Sequence, residues 1–232
     1  VLEVLALTPD DARAAQDGGA DRIEVAADLV TGGLTPDPDV VARIRDATAL
    51  PIRAVLRANA GLRTSPAELD RLRRAAASLA AAGADGFAFG FLGADGLVDV
   101  PAVTALAAAV APRPWTFHRV VDHAADPARA WEQACALARL PGTAPDAVRT
   151  AGSPRGVDAG LPVLARRAAE RPAVPVLAGG GLRRRHVAAL AAAGVAAFHA
   201  GTAVRRDGSL DAPADAALVA EWRALVRAAT GG

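Results

Sequence analysis

Eight short apolar segments alternate with alanine-rich amphipathic ones along this chain, at a spacing of roughly 20 to 35 residues. Such a rhythm belongs to a parallel sheet covered by helices, because each crossover between parallel strands needs a helix-length return. The apolar segments lie near Leu2 to Leu7, Arg22 to Ala26, Ile52 to Arg57, Gly86 to Gly90, Trp115 to Arg119, Ala147 to Thr150, Val174 to Ala178 and Ala196 to Ala200. No linker or low-complexity tract separates the units. The expectation is an α/β fold, a single (β/α)8 TIM barrel spanning 1–232, with an open doubly wound sheet as the competing architecture.

The helices carry their own start signals: Thr8-Pro9-Asp10, Thr35-Pro36-Asp37, Ser65-Pro66 and Asp126-Pro127. A Ser, Thr or Asp cap accepts a free amide hydrogen bond, and proline in the first turn forfeits none. Returns to the sheet repeat a small-residue phrase at Gly18-Gly19-Ala20-Asp21, Ala82-Gly83-Ala84-Asp85 and Ala193-Gly194-Val195. Glycine there can take the left-handed conformation that stops a helix.

Composition excludes several functions. A net charge of +1, with arginines dispersed among acids, leaves no electrostatic footprint for nucleic acid. The most apolar long stretch, Val187 to Val204, is built of small residues broken by Gly194, His199 and Gly201, so no membrane span is expected. The opening residues lack the pattern of a signal peptide, and the single cysteine, Cys135, precludes an internal disulfide; both suit a cytoplasmic protein. Lysine and tyrosine are absent, which removes Schiff-base chemistry and a tyrosine acid.

A barrel interior is normally filled by Val, Ile and Leu, so charged residues on an inward strand face need a reason. Alternation in Arg22-Ile23-Glu24-Val25 turns Arg22 and Glu24 inward. The same reasoning puts Glu3, Arg57, His118 and His199 inside, with Arg119, Asp122 and His123 just beyond the fifth strand and Arg149-Thr150 closing the sixth. A buried ion-pair network is the structural alternative for any one of them. As a group at strand C-termini, where barrel enzymes build their sites, they point to a small-molecule pocket.

The loops after strands seven and eight, Ala178-Gly179-Gly180-Gly181 and Ala200-Gly201-Thr202, offer backbone amides for an anion, or are merely tight turns. Thr31-Gly32-Gly33-Leu34-Thr35-Pro36 follows the Glu24 strand and can fold over the pocket. His186, behind Arg183-Arg184-Arg185, reads as a surface residue, and Cys135 as a small hydrophobe rather than a nucleophile. A divalent metal could use the His and carboxylate set, although closely spaced ligand pairs are missing from the sequence.

At these residues the chain resembles the CutC family of copper homeostasis proteins. The phrases that carry the resemblance are Leu2-Glu3-Val4, Gly19-Ala20-Asp21-Arg22-Ile23-Glu24, Gly32-Gly33-Leu34-Thr35-Pro36, Thr116-Phe117-His118-Arg119 with Asp122, Arg149-Thr150-Ala151-Gly152 and Ala178-Gly179-Gly180-Gly181. It implies a cytoplasmic (β/α)8 barrel that self-associates, with a dimer expected, and it implies copper. Copper(I) prefers thiolate and thioether ligands. Here the position after Glu24-Val25, where the family's proposed cysteine would stand, is Ala26, and there is no methionine. Arg57-Ala58-Asn59 also departs from the Arg-Pro-Arg of relatives, which removes a positive charge near the pocket.

The expected function is therefore acid-base chemistry on a small polar or anionic metabolite. Glu24 and His118 are the proton-transfer candidates and Glu3 orients them. Arg57, Arg119, Asp122, Thr150, Gly180, Gly181, His199 and Gly201 are expected around the ligand. A copper-binding or trafficking protein, and a scaffold with a vestigial pocket, are the rival readings.

Overall fold

The computed structural model describes residues 1–170 and 172–231. Eight parallel strands pair in sequence order and close, with β8 returning to β1. They are β1 (Leu2–Ala6), β2 (Arg22–Val25), β3 (Ile52–Val55), β4 (Gly86–Phe89), β5 (Trp115–Phe117), β6 (Ala147–Thr150), β7 (Val176–Ala178) and β8 (Ala197–Ala200). The helices between them are α1 (Pro9–Asp17), α2 (Pro38–Ala47), α3 (Pro66–Ala81), α4 (Val100–Val110), α5 (Pro127–Leu137), α6 (Val157–Ala169), α7 (Arg184–Ala192) and α8 (Ala216–Thr230).

Strands are shorter than the apolar runs suggest. Arg57 and Arg119 lie beyond the ends of β3 and β5, and Arg119 begins a short 3-10 turn, Arg119–Asp122. Caps fall where the sequence places them at Thr8, Ser65 and Asp126, with Glu68 completing a capping box around Ser65. The second helix is different. Its cap is Asp37 followed by Pro38, and the Thr35 hydroxyl instead exchanges hydrogen bonds with the Arg57 backbone, locking the β2 loop to the end of β3. Gly19, Gly83 and Gly194 take positive φ at the returns to the sheet.

Between barrel and helices the core is apolar and large. Ile23, Ile52, Phe87, Phe89, Phe117 and Phe198 are all at most 1% exposed. Inside the barrel the apolar residues are few and mostly small: Ala147, Leu177 and Ala197 form one patch, and Leu5, Ala26, Val55 and Ala88 another. Small residues leave volume for long polar ones. A Cβ on Gly86 would come within 2.5 Å of the Arg53 guanidinium, and one on Gly179 within 2.9 Å of the His199 Cβ. The floor is an ion network in which Arg22 pairs with Glu3 and Asp146, and Arg53 with Asp146. Charges buried at this depth need such partners, since one left alone costs several kcal/mol in the ~3–5 range.

Candidate functional site

Above that floor, five strands aim polar side chains at one point. Glu24 comes from β2, Arg149 from β6, His199 from β8 and Glu3 from β1, and His118 follows β5 directly. All five are at most 8% exposed. Arg149 is the hub: its guanidinium donates to Glu24 Oε1 and to His118 Nε2, and it lies 3.3 Å from the His199 ring nitrogens. His118 and His199, on opposite walls, meet through it. Glu24 Oε2 is buried with no hydrogen-bond partner among the described residues.

The hydrogen bonds assign the histidine tautomers. Burial alone would raise the Glu3 carboxyl. The hydrogen bond from His199 and the charges of Arg22, His199 and Arg149 outweigh it and bring the pKa to about 2. An ionised Glu3 only accepts, so His199 carries its proton on Nδ1, 2.8 Å from Glu3 Oε1. Its Nε2 lies 3.3 Å from Arg149 Nη1 and 4.0 Å from Glu24 Oε1. His118 is held neutral, its pKa well below the usual range, first by burial and then by the charges of Arg149, Arg57 and Arg119. Because its Nε2 accepts from Arg149, its proton sits on Nδ1 as a donor.

The outer residues divide into liners and braces. Arg119 lies over Gly180, whose missing side chain makes room for it: a Cβ there would be 2.5 Å from the guanidinium. Asp122 accepts from Arg119 Nε at 3.0 Å, from Thr150 Oγ1 at 2.6 Å and from the amides of Ala151 and Gly152. Asp122 and Thr150 thus stand behind Arg119, outside the lining of the cavities on its other faces. Thr150 faces the helices, where Arg167 of α6 donates to it. Arg57 donates to the carbonyls of Gly33, Ala60 and Gly61, tying the β2 loop to the β3 loop.

The resulting cavity is about 200 Å³. Glu24, His118, Arg149 and His199 form its polar wall, and Leu5, Val55 and Leu210 an apolar one. Gly180, Gly181 and Gly201 line it, and Leu29, Gly32 and Gly33 of the β2 loop cover one side. An adjoining chamber of about 330 Å³ shares Gly32, His118, Arg119 and Arg149 with it and adds Arg57 and His123.

Two readings change. Arg149, which the sequence places only at a strand end, is the central residue, and alternation in Val148-Arg149-Thr150 was the signal that separates it from Thr150. His186 is not on the surface. It is 2% exposed, accepting from the Arg183 amide and facing Asp158, while Arg183, Arg184 and Arg185 are exposed as expected.

The residues present do not fit copper(I). Cys135 lies on the outer helix α5, and burial pushes its thiol up to about 11, far from the thiolate a soft metal needs. Ala26 lines the pocket where a thiolate would be required. Glu3, Glu24 and His199 do converge, each offering an atom within 4.8 Å of the others. Two of the three donors are hard carboxylates, however, and the Arg149 guanidinium already supplies the cation among them.

Fold and site define a (β/α)8 barrel with a charged pocket at the C-terminal ends of its strands. The profile of the CutC family matches residues 1–204, and the chain belongs to that family. A CutC protein of Xanthomonas campestris pv. campestris (strain B100) is 37% identical over 208 residues, covering 88% of this chain and 80% of the relative. One from Klebsiella pneumoniae subsp. pneumoniae is 31% identical over 86% of this chain and 78% of the relative. Among solved structures, CutC from Streptococcus agalactiae, named for copper homeostasis, superposes with a TM-score of 0.73 at 17% identity, covering 87% of this chain and 97% of that one. A thiamine phosphate pyrophosphorylase from Pyrococcus furiosus gives 0.61 at 19%, covering 98% and 96%. At such identities these two structures speak for the fold alone. Among the described residues no helix is long and apolar enough to cross a membrane.

Proposed function

We propose that this CutC-family barrel is an acid-base enzyme acting on a small anionic metabolite, with proton transfer next to a carbonyl as its chemistry. The observation that carries this reading is Glu24 Oε2, a buried carboxylate oxygen without a partner on the wall of a cavity. Leaving such an atom unsatisfied costs roughly 1–3 kcal/mol, which a substrate proton or hydroxyl would offset.

Each remaining group has a task that its geometry supports. Glu24 takes the proton from carbon. Neutral His118, with Nδ1 as donor, stabilises the negative oxygen that develops as that C–H bond breaks. His199 Nε2, aligned by Glu3, receives or returns a proton from the other side. The copper association is carried by the name of a structural neighbour, and among the described residues no thiolate or thioether lines the pocket.

A thermal-shift screen of small hydroxy acids, keto acids and sugar acids, with and without phosphate groups, tests the reading. At least one compound should stabilise the wild type and lose its effect in His118→Ala. If no compound stabilises the wild type more than that variant, the reading fails.

A further inference from the structure

The chamber beside the Glu24 cavity differs from it in one respect: its charged side chains are all arginines. Arg57, His118, Arg119, His123 and Arg149 line it, with Thr31 at the edge and no carboxylate. Nearby acids are turned elsewhere. Asp122 takes Arg119 from behind and gives its other acceptor positions to Thr150 and to two backbone amides. Glu24 takes one arm of Arg149 inside the first cavity. Among the described residues, Nη1 of Arg119 has no acceptor and the His123 ring makes no hydrogen bond.

We propose that this chamber holds the phosphoryl dianion of a phosphate monoester, with its carbon skeleton reaching past His118 toward Glu24. This rests on the anionic-metabolite reading above and names the class of metabolite. A carboxylate is matched by a single guanidinium fork, whereas here the Arg119 guanidinium and the His123 ring, two separate side chains beyond β5, line one chamber, as a group with three terminal oxygens requires. Of the three guanidiniums, Arg119 and Arg149 each pair with one carboxylate while Arg57 binds only backbone carbonyls, which leaves net positive charge at the chamber wall to attract a dianion. The positive field is felt by both histidines. His123, like His118, has its pKa lowered, first by burial and next by a neighbouring arginine, with Arg119 and Arg57 acting on each of them. In the glycine loop after β7, a common phosphate cradle in barrels, Gly180 lies against the Arg119 guanidinium here.

Calorimetric titration with inorganic phosphate, and separately with formate at matched ionic strength, tests this, alongside NMR titration of the histidine rings. Phosphate is expected to bind more tightly than formate and to raise the His123 pKa. Its affinity should fall about tenfold or more in Arg119→Gln and several-fold in His123→Ala, a substitution at an exposed position that leaves the fold intact. Formate binding as well as phosphate would overturn the phosphoryl assignment and leave the anionic-metabolite reading standing. Phosphate binding indifferent to both substitutions, or absent, would overturn the site itself. Phosphate bound as expected in a protein that exchanges no substrate C–H proton would keep this site and remove the catalytic reading.

Discussion

Glu3 and His199, 196 residues apart, are joined by a 2.8 Å hydrogen bond across the seam where β1 and β8 close the barrel. The bond fixes which histidine nitrogen faces Glu24. Replacing Glu3 with glutamine keeps the shape but lets the amide donate to Nδ1, which favours the wrong tautomer and leaves Arg22 short of a counter-ion. Proton transfer should fall on the order of 10²-fold in Glu3→Gln, measured as turnover of a stabilising metabolite, while its binding weakens much less.

Acid should unfold the protein in two stages. His118 has a depressed pKa in the fold, so the unfolded chain binds the extra proton below its ordinary value of 6.5, and stability falls as pH drops through that point. Glu3, depressed from 4.5 to about 2, adds a second loss between those values. Urea midpoints measured from pH 8 to pH 3 should show both, and His118→Gln should flatten only the upper one. A wild-type midpoint unchanged between pH 7 and pH 5 would contradict a neutral buried His118.

Gly160 in α6 tests the brace behind the pocket. A Cβ there would lie 1.9 Å from the Ala151 carbonyl oxygen and 2.6 Å from the Gly152 carbonyl carbon, in the loop whose amides hold Asp122. Alanine gains about 1 kcal/mol of helix propensity. The backbone clash outweighs it, and Gly160→Ala should lose about 2 kcal/mol or more net by urea denaturation.

Gly180→Ala separates fold from ligand binding. Its φ of +100° and the guanidinium of Arg119 against it make the substitution strained, at a cost of about 1–2 kcal/mol. The protein should still fold, with Arg119 displaced and phosphate affinity reduced, as calorimetry on the variant would show.

The sequence discloses more of the barrel than of the site. Alternating polarity in Arg22-Ile23-Glu24-Val25 turns Glu24 inward correctly, because one strand face meets large apolar side chains and the other does not. Applied to Val148-Arg149-Thr150, the same rule separates the hub from the brace, but proximity to a strand end does not. Thr35-Pro36-Asp37-Pro38 contains two overlapping cap signals, and only the pairing of Thr35 with Arg57, 22 residues away, decides between them. His186 is buried by a partner, Asp158, that lies 28 residues earlier in the chain. Pairings of that kind are tertiary, and no local pattern encodes them.

Solvent exchange reads out proton abstraction by Glu24. A metabolite that stabilises the protein, incubated with it in deuterium oxide and followed by proton NMR, should lose the signal of the C–H beside its carbonyl. The rate should be about a hundredfold or more above that with Glu24→Gln at equal ligand occupancy. Equal rates for the two proteins, or no exchange by the wild type with the ligand bound, would contradict an acid-base role for the pocket.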